Sequence, residues 1–318
     1  MNTQVKTTLR ALWLCLLPLI LLWSSPSFSA QPTAFDGWAK NAKIGGAALY
    51  VGMSATEMNQ VLDDMVAQHV TVVEADSDLS NYQSDAQFEL ELALMRQFAD
   101  AAHQRGLRVV WYIPALEVIT PNGKNIPNTM AKDHPDWVQV GLDGVNNVFY
   151  GGGGQVFWVE ADAESAWMSP SSEGYRNYFF SRIAKMVDTG IDGVWADVPI
   201  YADFGETKWS GFNPEAIARF ESDTGMTKPV AEDWNDPSWK RWIHWRHEEL
   251  ARFLKDLTTT VRNIDPEFTI FAETLPTDYN GGTIYGLDSG FTKEVEGLTA
   301  VYEVDTMSNN VGMRNART

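Results

Sequence analysis

Short β-branched, apolar runs alternate with capped amphipathic stretches along this chain, and that rhythm restricts the fold more than any other feature. The first run, Lys43 to Val51, holds Ala47, Ala48, Leu49, Tyr50 and Val51, as a buried parallel strand would. Ser54 and Glu57 then form a capping box, and Met58, Val61, Leu62, Met65 and Val66 recur at helical spacing. Val70 to Ala75 reads as a second strand. Ser84 and Gln87 open a second helix that runs to Gly106, the residue expected at its C-terminal cap. Leu107 to Ile113 is a third strand, and Pro114 to Pro170 is a long, turn-rich and aromatic stretch of the kind that usually carries function. A helix from Glu173 to Asp188 precedes a fourth strand, Ile191 to Pro199. Asn213-Pro214 and Asp236-Pro237 each place a capping residue before a proline at the first helical position. The helix opened by Asp236 carries Trp239, Trp242, Ile243, Leu250, Phe253, Leu254, Leu257 and Val261 on one stripe. Phe268 to Ala272 and Leu298 to Val304 read as fifth and sixth strands.

Alternating strands and helices imply a parallel sheet covered by helices, either open and doubly wound or closed into a barrel. No glycine-rich phosphate loop follows the first strand, since Gly45-Gly46 lies inside it. Long excursions after strands three, four and five suit a barrel, whose site is built from such loops. The expected fold is therefore an α/β (βα)8 TIM barrel. Six strands are read where a closed barrel has eight, so the chain is expected to be incomplete at its C-terminus.

The first 29 residues are read separately. Lys6 and Arg10 precede an apolar run from Ala11 to Trp23 that ends in small and polar residues, the pattern of a secretory signal peptide cut near Ala30. Residues 30–318 then form the barrel domain, in a secreted or periplasmic protein. The single cysteine, Cys15, lies in the leader, so the mature chain has neither disulfide nor thiolate chemistry. It keeps 22 basic against 42 acidic residues, a formal charge of −20. Such a surface repels phosphate backbones and anionic headgroups, which excludes nucleic acid and, after cleavage of the leader, a membrane as partners.

A barrel places its chemistry at the C-terminal ends of the strands. The acids there are Glu74 and Asp76, Glu117, Asp197, Glu273, and Glu303 with Asp305. Aspartate is a poor strand former, so Asp197 at the end of Ile-Asp-Gly-Val-Trp-Ala-Asp needs a reason. Glu273 ends the next strand in the same way. Neighbouring parallel strands lie about 4.8 Å apart, close to the roughly 5–5.5 Å between the two carboxylates of a retaining glycosidase. In that chemistry one carboxylate attacks while the other, kept protonated by burial and its neighbour's charge, donates to the leaving oxygen. Asp76, Trp111, Tyr112, Trp158, Trp167, Trp195, Tyr201, Glu303 and Asp305 are read as substrate-binding, the aromatic rings stacking on the apolar faces of pyranoses. The five histidines show no metal-ligand spacing, and neither a metal site nor a cofactor is expected. A barrel that binds glycans without cleaving them, and a metal-dependent hydrolase, are the competing readings.

The segment Gly190-Ile-Asp-Gly-Val-Trp-Ala-Asp197-Val-Pro resembles the fourth-strand signature of (βα)-barrel glycoside hydrolases of the α-amylase-like and α-galactosidase-like kind, and of hypothetical glycosyl hydrolases related to them. His134-Pro135-Asp136-Trp137 and the Trp-Met-Ser-Pro before Tyr175-Arg176 resemble substrate-side loops of the latter. The resemblance implies an oligo- or polysaccharide substrate and a nucleophile at Asp197. It implies a general acid/base at Glu273 in the α-amylase-like arrangement, or at Glu303 or Asp305 in the α-galactosidase-like one. The chain departs from α-amylases in carrying Trp195 where they have an arginine two residues before the nucleophile.

Overall fold

The computed structural model describes residues 38–39, 41–151, 158–203, 208–274, 281–287 and 298–302. The expected leader, Glu303 and Asp305 lie outside them. Six strands form one parallel sheet: β1 (Ile44–Ala48), β2 (Val72–Asp76), β3 (Arg108–Pro114), β7 (Gly193–Asp197), β8 (Thr269–Thr274) and β9 (Leu298–Tyr302). They sit side by side in the order in which the chain makes them. A doubly wound sheet reverses its order at a switch point, whereas a barrel does not. The sheet is thus wound as a barrel is, and among the described residues it is open.

The main helices between the strands start where the sequence predicts. Helix α1 (Ala55–Ala67) and helix α2 (Asp85–His103) each start on a complete capping box, Ser54 with Glu57 and Ser84 with Gln87. Helix α4 (Glu173–Val187) returns the chain to β7. Helices α5 (Pro214–Thr224) and α6 (Pro237–Arg262) lead from β7 to β8. Asp236 caps α6 through Ser238, but Asn213 does not cap α5. Its amide instead ties the backbone of Val138 and Val140 to the start of that helix.

The long segment after β3 is where the sequence reading falls short. Read there as a loop, it folds into a second, antiparallel sheet of β4 (Glu117–Thr120), β6 (Glu164–Trp167) and β5 (Val148–Tyr150), with the one-turn helix α3 (Met130–Asp133) between β4 and β5. Its strands are three or four residues long, too short for an alternation to register.

In the parallel sheet, side chains alternate between two faces. Ala47, Val73, Ala75, Val109, Trp111, Ile113, Val194, Ala196, Ile270 and Ala272 face the helices and join Leu62, Phe98, Ile183 and Leu254 in the main core. On the opposite, inner face, Val72, Val110 and Phe271 form a small apolar cluster covered by Trp38, Ala39, Ala42 and Trp195. The same face carries Glu74, Asp76, Tyr112, Asp197 and Glu273. Closeness of the strands is set by Gly193 on this face. A Cβ there would lie 2.4 Å from Cγ2 and 2.6 Å from the carbonyl oxygen of Thr269.

Gly193→Ala is therefore expected to push β7 and β8 apart, lowering stability by about 1–3 kcal/mol in urea unfolding, as overpacked cores do. Adding Thr269→Ser should not restore it, because the carbonyl clash remains.

Candidate active site

All strands of a parallel sheet end at one edge, so the inner-face side chains of their last residues meet there. Tyr112 lies opposite Trp195 in the pairing of β3 with β7, and Pro114 lies opposite Asp197. Trp195 lies opposite Phe271 in the pairing of β7 with β8, and Ala196 opposite Ala272, so that Asp197 and Glu273 follow on the same face. Ala48 is opposite Asp76 on the other side of the cleft.

Asp197 is fixed at both oxygens. The Tyr112 hydroxyl donates to Oδ2, and the amide of Val198 donates to Oδ1 at 2.6 Å. Val198 takes φ +43°, a conformation that costs a β-branched residue roughly 1–3 kcal/mol. That turn lifts the chain out of the sheet at the aspartate, so the strain is stored where the carboxylate is presented. The backbone oxygen of Asp197 accepts from Ala115, which seats the end of β7 against the exit of β3. Burial, followed by the negative charge of Asp197, pushes the Tyr112 phenol far above its ordinary range, so it remains a proton donor at any ordinary pH.

Glu273 accepts from the indole N–H of Trp195 at 3.1 Å. That indole lies parallel to the Phe271 ring, 6.0 Å between centroids and 6° between planes, which fixes its edge toward the carboxylate. Three further acids surround the pair. Glu74, one inward position below Asp76, is pushed up to about 7 by burial and by the charges of Asp76 and Asp197. Burial also raises Asp76. Glu117, the first residue of β4, is buried and likewise pushed up to about 7, chiefly by burial and further by Asp197. Its Oε1 accepts from Ser165 at 2.6 Å and from the indole of Trp158 at 3.1 Å, hydrogen bonds that oppose the rise. Held near 7, Glu74 and Glu117 each carry a proton for part of the time at neutral pH and are able to give one.

The structure brings Asp76, Tyr112, Trp195, Asp197 and Glu273 together, and Trp158 stands at the edge, 36% exposed. Three aromatic residues expected at the mouth are elsewhere. Trp111 points to the helices, fully buried, with its indole N–H on Ser77. Alternation along β3 sends it outward because Tyr112 points in. Trp167 is fully buried on β6, in the main core. Tyr201 is fully buried beneath the Arg246 guanidinium, 4.3 Å from its ring centroid. None of these three rings has a face open to a sugar. Glu74 and Glu117 were visible in the sequence as acids after strands two and three, but only burial shows how far their protons are held. Among the described residues, no three His, Asp or Glu side chains gather as they would to hold a metal ion. No helix among them is long and apolar enough to cross a membrane.

Known structures share this architecture. The catalytic domain of a beta-amylase from Paenibacillus polymyxa superposes with a TM-score of 0.50 at 13% identity, over 81% of this chain and 76% of that one. A beta-galactosidase from the psychrophilic Marinomonas ef1 superposes with a TM-score of 0.55 at 12% identity, over 82% of this chain and 40% of that one. The chain thus spans less than half the length of that galactosidase. At such identities the likeness shows the fold alone, a barrel of the TIM type. No curated protein sequence matches this chain. Its residues 56–286, which run from the first helix through the candidate site and past β8, match the family described as glycosyl hydrolase-like 10, and the chain belongs to that family.

Proposed function

We propose that the chain is an exported glycoside hydrolase that cleaves O-glycosidic bonds of an oligo- or polysaccharide by a retaining, two-carboxylate mechanism. The observation that carries this reading is the placement of Asp197 and Glu273 on one face at the ends of adjacent parallel strands, each oriented by a neutral donor. In the reaction, Asp197 attacks the anomeric carbon. Tyr112 and the Val198 amide hold its two oxygens in a defined plane, so little reorganisation is left for the transition state. Glu273 protonates the departing oxygen and then takes the proton from the incoming water. Asp76 and Trp195 contact the sugar, and Trp158 offers a partly open ring at the edge for stacking. Residues 1–29 act as the export leader.

A second reading has its own support. Glu74 and Glu117 are acids held near 7 beside Asp197, as a proton donor working at neutral pH must be. Either would replace Glu273 as acid, leaving it to orient Trp195.

Asp197→Asn is expected to leave the fold intact and lower turnover by several orders of magnitude on any glycoside that the protein cleaves. Unchanged activity would remove the nucleophile from this position. Glu273→Gln should slow glycosides with poor leaving groups far more than activated aryl glycosides, and azide should partly rescue it. Equal losses on both, without rescue, would move the acid to Glu74, to Glu117, or to Glu303 or Asp305.

Stability should follow the same protons. Glu74 and Glu117 sit near 7 when folded and near 4.5 when unfolded, so the folded state binds more protons between those values. Their contribution is fully present below about 4.5 and is lost as the pH rises through about 7. Calorimetric Tm should therefore fall over that window, and Glu117→Gln should flatten the fall, with a Tm above the parent's at pH 8 and close to it at pH 4.5. N-terminal sequencing of the exported protein should begin within a residue or two of Ala30.

A further inference from the structure

Outside the cleft, a second group of aromatic side chains is built around one carboxylate. Glu232 accepts from the indole N–H of Trp209 on Oε2 at 2.8 Å and from that of Trp234 on Oε1 at 3.1 Å. The two rings stand 6.2 Å apart at 68°. Both rest edge to face on the buried Trp239, at 5.1 and 6.1 Å. Trp239 in turn stacks on Trp242 at 5.1 Å. Trp209 is held at φ +57°, a conformation that a bulky residue keeps only where its surroundings enforce it.

Rigid support of this kind is not needed to bury the rings, because Trp234 is 46% exposed and Trp209 half-buried. The arrangement fixes their edges and leaves ring surface in water, next to a carboxylate with lone pairs to spare. Its place in the fold adds a second argument. Trp209 lies twelve residues beyond Asp197, in the chain between the end of β7 and helix α5. Trp234 precedes α6, which must run back along the parallel sheet and so begins at the edge where the strands finish. The pair is therefore on the same end of the sheet as the cleft.

We infer that Trp209, Trp234 and Glu232 form a surface site for a glycan chain, the indoles stacking on pyranose faces and the carboxylate accepting from sugar hydroxyls. Flat rings with fixed edges suit a pyranose, whose hydroxyls radiate from an apolar face. A carboxylate without an added cation suits a neutral polyol. The cleft uses the same device, with Trp195 on Glu273 and Trp158 on Glu117. The site would hold a polymer at the end of the sheet where the cleft opens, and its occupation does not depend on cleavage.

The test is a pull-down of the full mature chain carrying Asp197→Asn, to prevent any turnover, on insoluble cellulose, chitin, amylose and xylan. Retention on at least one is expected, and Trp234→Ala added to that chain should weaken it about tenfold. Glu232→Ala, which releases both indoles and lies on the surface, is the second variant and should weaken it in the same direction. Each variant is first checked for an unchanged Tm. Retention on none of the four polymers, or equal retention by both variants, overturns the inference. So does a change of oligomeric state on Trp234→Ala, seen by light scattering, with polymer retention unaltered, which would give the face to a second copy of the chain. A chain that binds through this pair but cleaves nothing would keep the site while removing the hydrolase reading.

Discussion

Glu74, Asp76, Glu117, Asp197 and Glu273 gather at one end of a parallel sheet, and like charges that close, partly shielded from water, repel strongly. The site exists only because that repulsion is contained. Part of the containment is protonic, since Glu74 and Glu117 keep a proton up to about 7. The rest comes from neutral donors: the Tyr112 hydroxyl and Val198 amide on Asp197, Ser165 and the Trp158 indole on Glu117, and the Trp195 indole on Glu273. Unlike arginine or lysine, these groups orient a carboxylate without cancelling its charge. A cleft of this kind keeps its negative potential and also keeps a proton to give.

The same strand shows how the sheet divides stability from chemistry. Asp192, just before β7, accepts from Arg108 at 2.6 Å, from the amide of Val109 at 2.8 Å and contacts His103 at 2.8 Å. Those partners belong to the start of β3 and the end of α2, so this aspartate ties elements together. Asp197, five residues on, meets a phenol, an amide and other acids. Chain direction alone separates the two, because the lower end of a parallel barrel is a packing end and the upper end is where loops leave and side chains converge.

Much of this could be read from the sequence, and what could not has identifiable causes. Six strands and their order follow from β-branched runs between capped helices, and the acids at strand ends follow from aspartate and glutamate standing where apolar residues are the rule. Facing direction was harder. Trp111 and Tyr112 are neighbours and cannot both point inward, yet their types are equally suited to the mouth. The pairing of Tyr112 with Trp195 settles it, and pairing is a long-range property. Trp167 looked like a loop residue because the short antiparallel strands around it leave no periodic trace, and the burial of Arg246 against Tyr201 joins segments far apart in the chain. The held protons of Glu74 and Glu117 depend on burial and on charges from other strands, which composition does not carry.

The tryptophans then take on a meaning that their number alone does not supply. Those of the main core, such as Trp111, pack as any large apolar residue does. Trp245 gives its N–H to Asp223 while its ring stays buried against Phe220 at 5.7 Å, so there the indole serves the fold. Trp158, Trp195, Trp209 and Trp234 differ in keeping some ring surface accessible while the N–H is committed to a glutamate. An indole so tied loses the freedom to turn, and its remaining face becomes a fixed apolar plane beside a hydrogen-bond acceptor. Ordering a side chain before a ligand arrives removes an entropy cost from binding. The sugar ligands proposed above combine an apolar face with hydroxyls, the form that such a plane beside an acceptor suits.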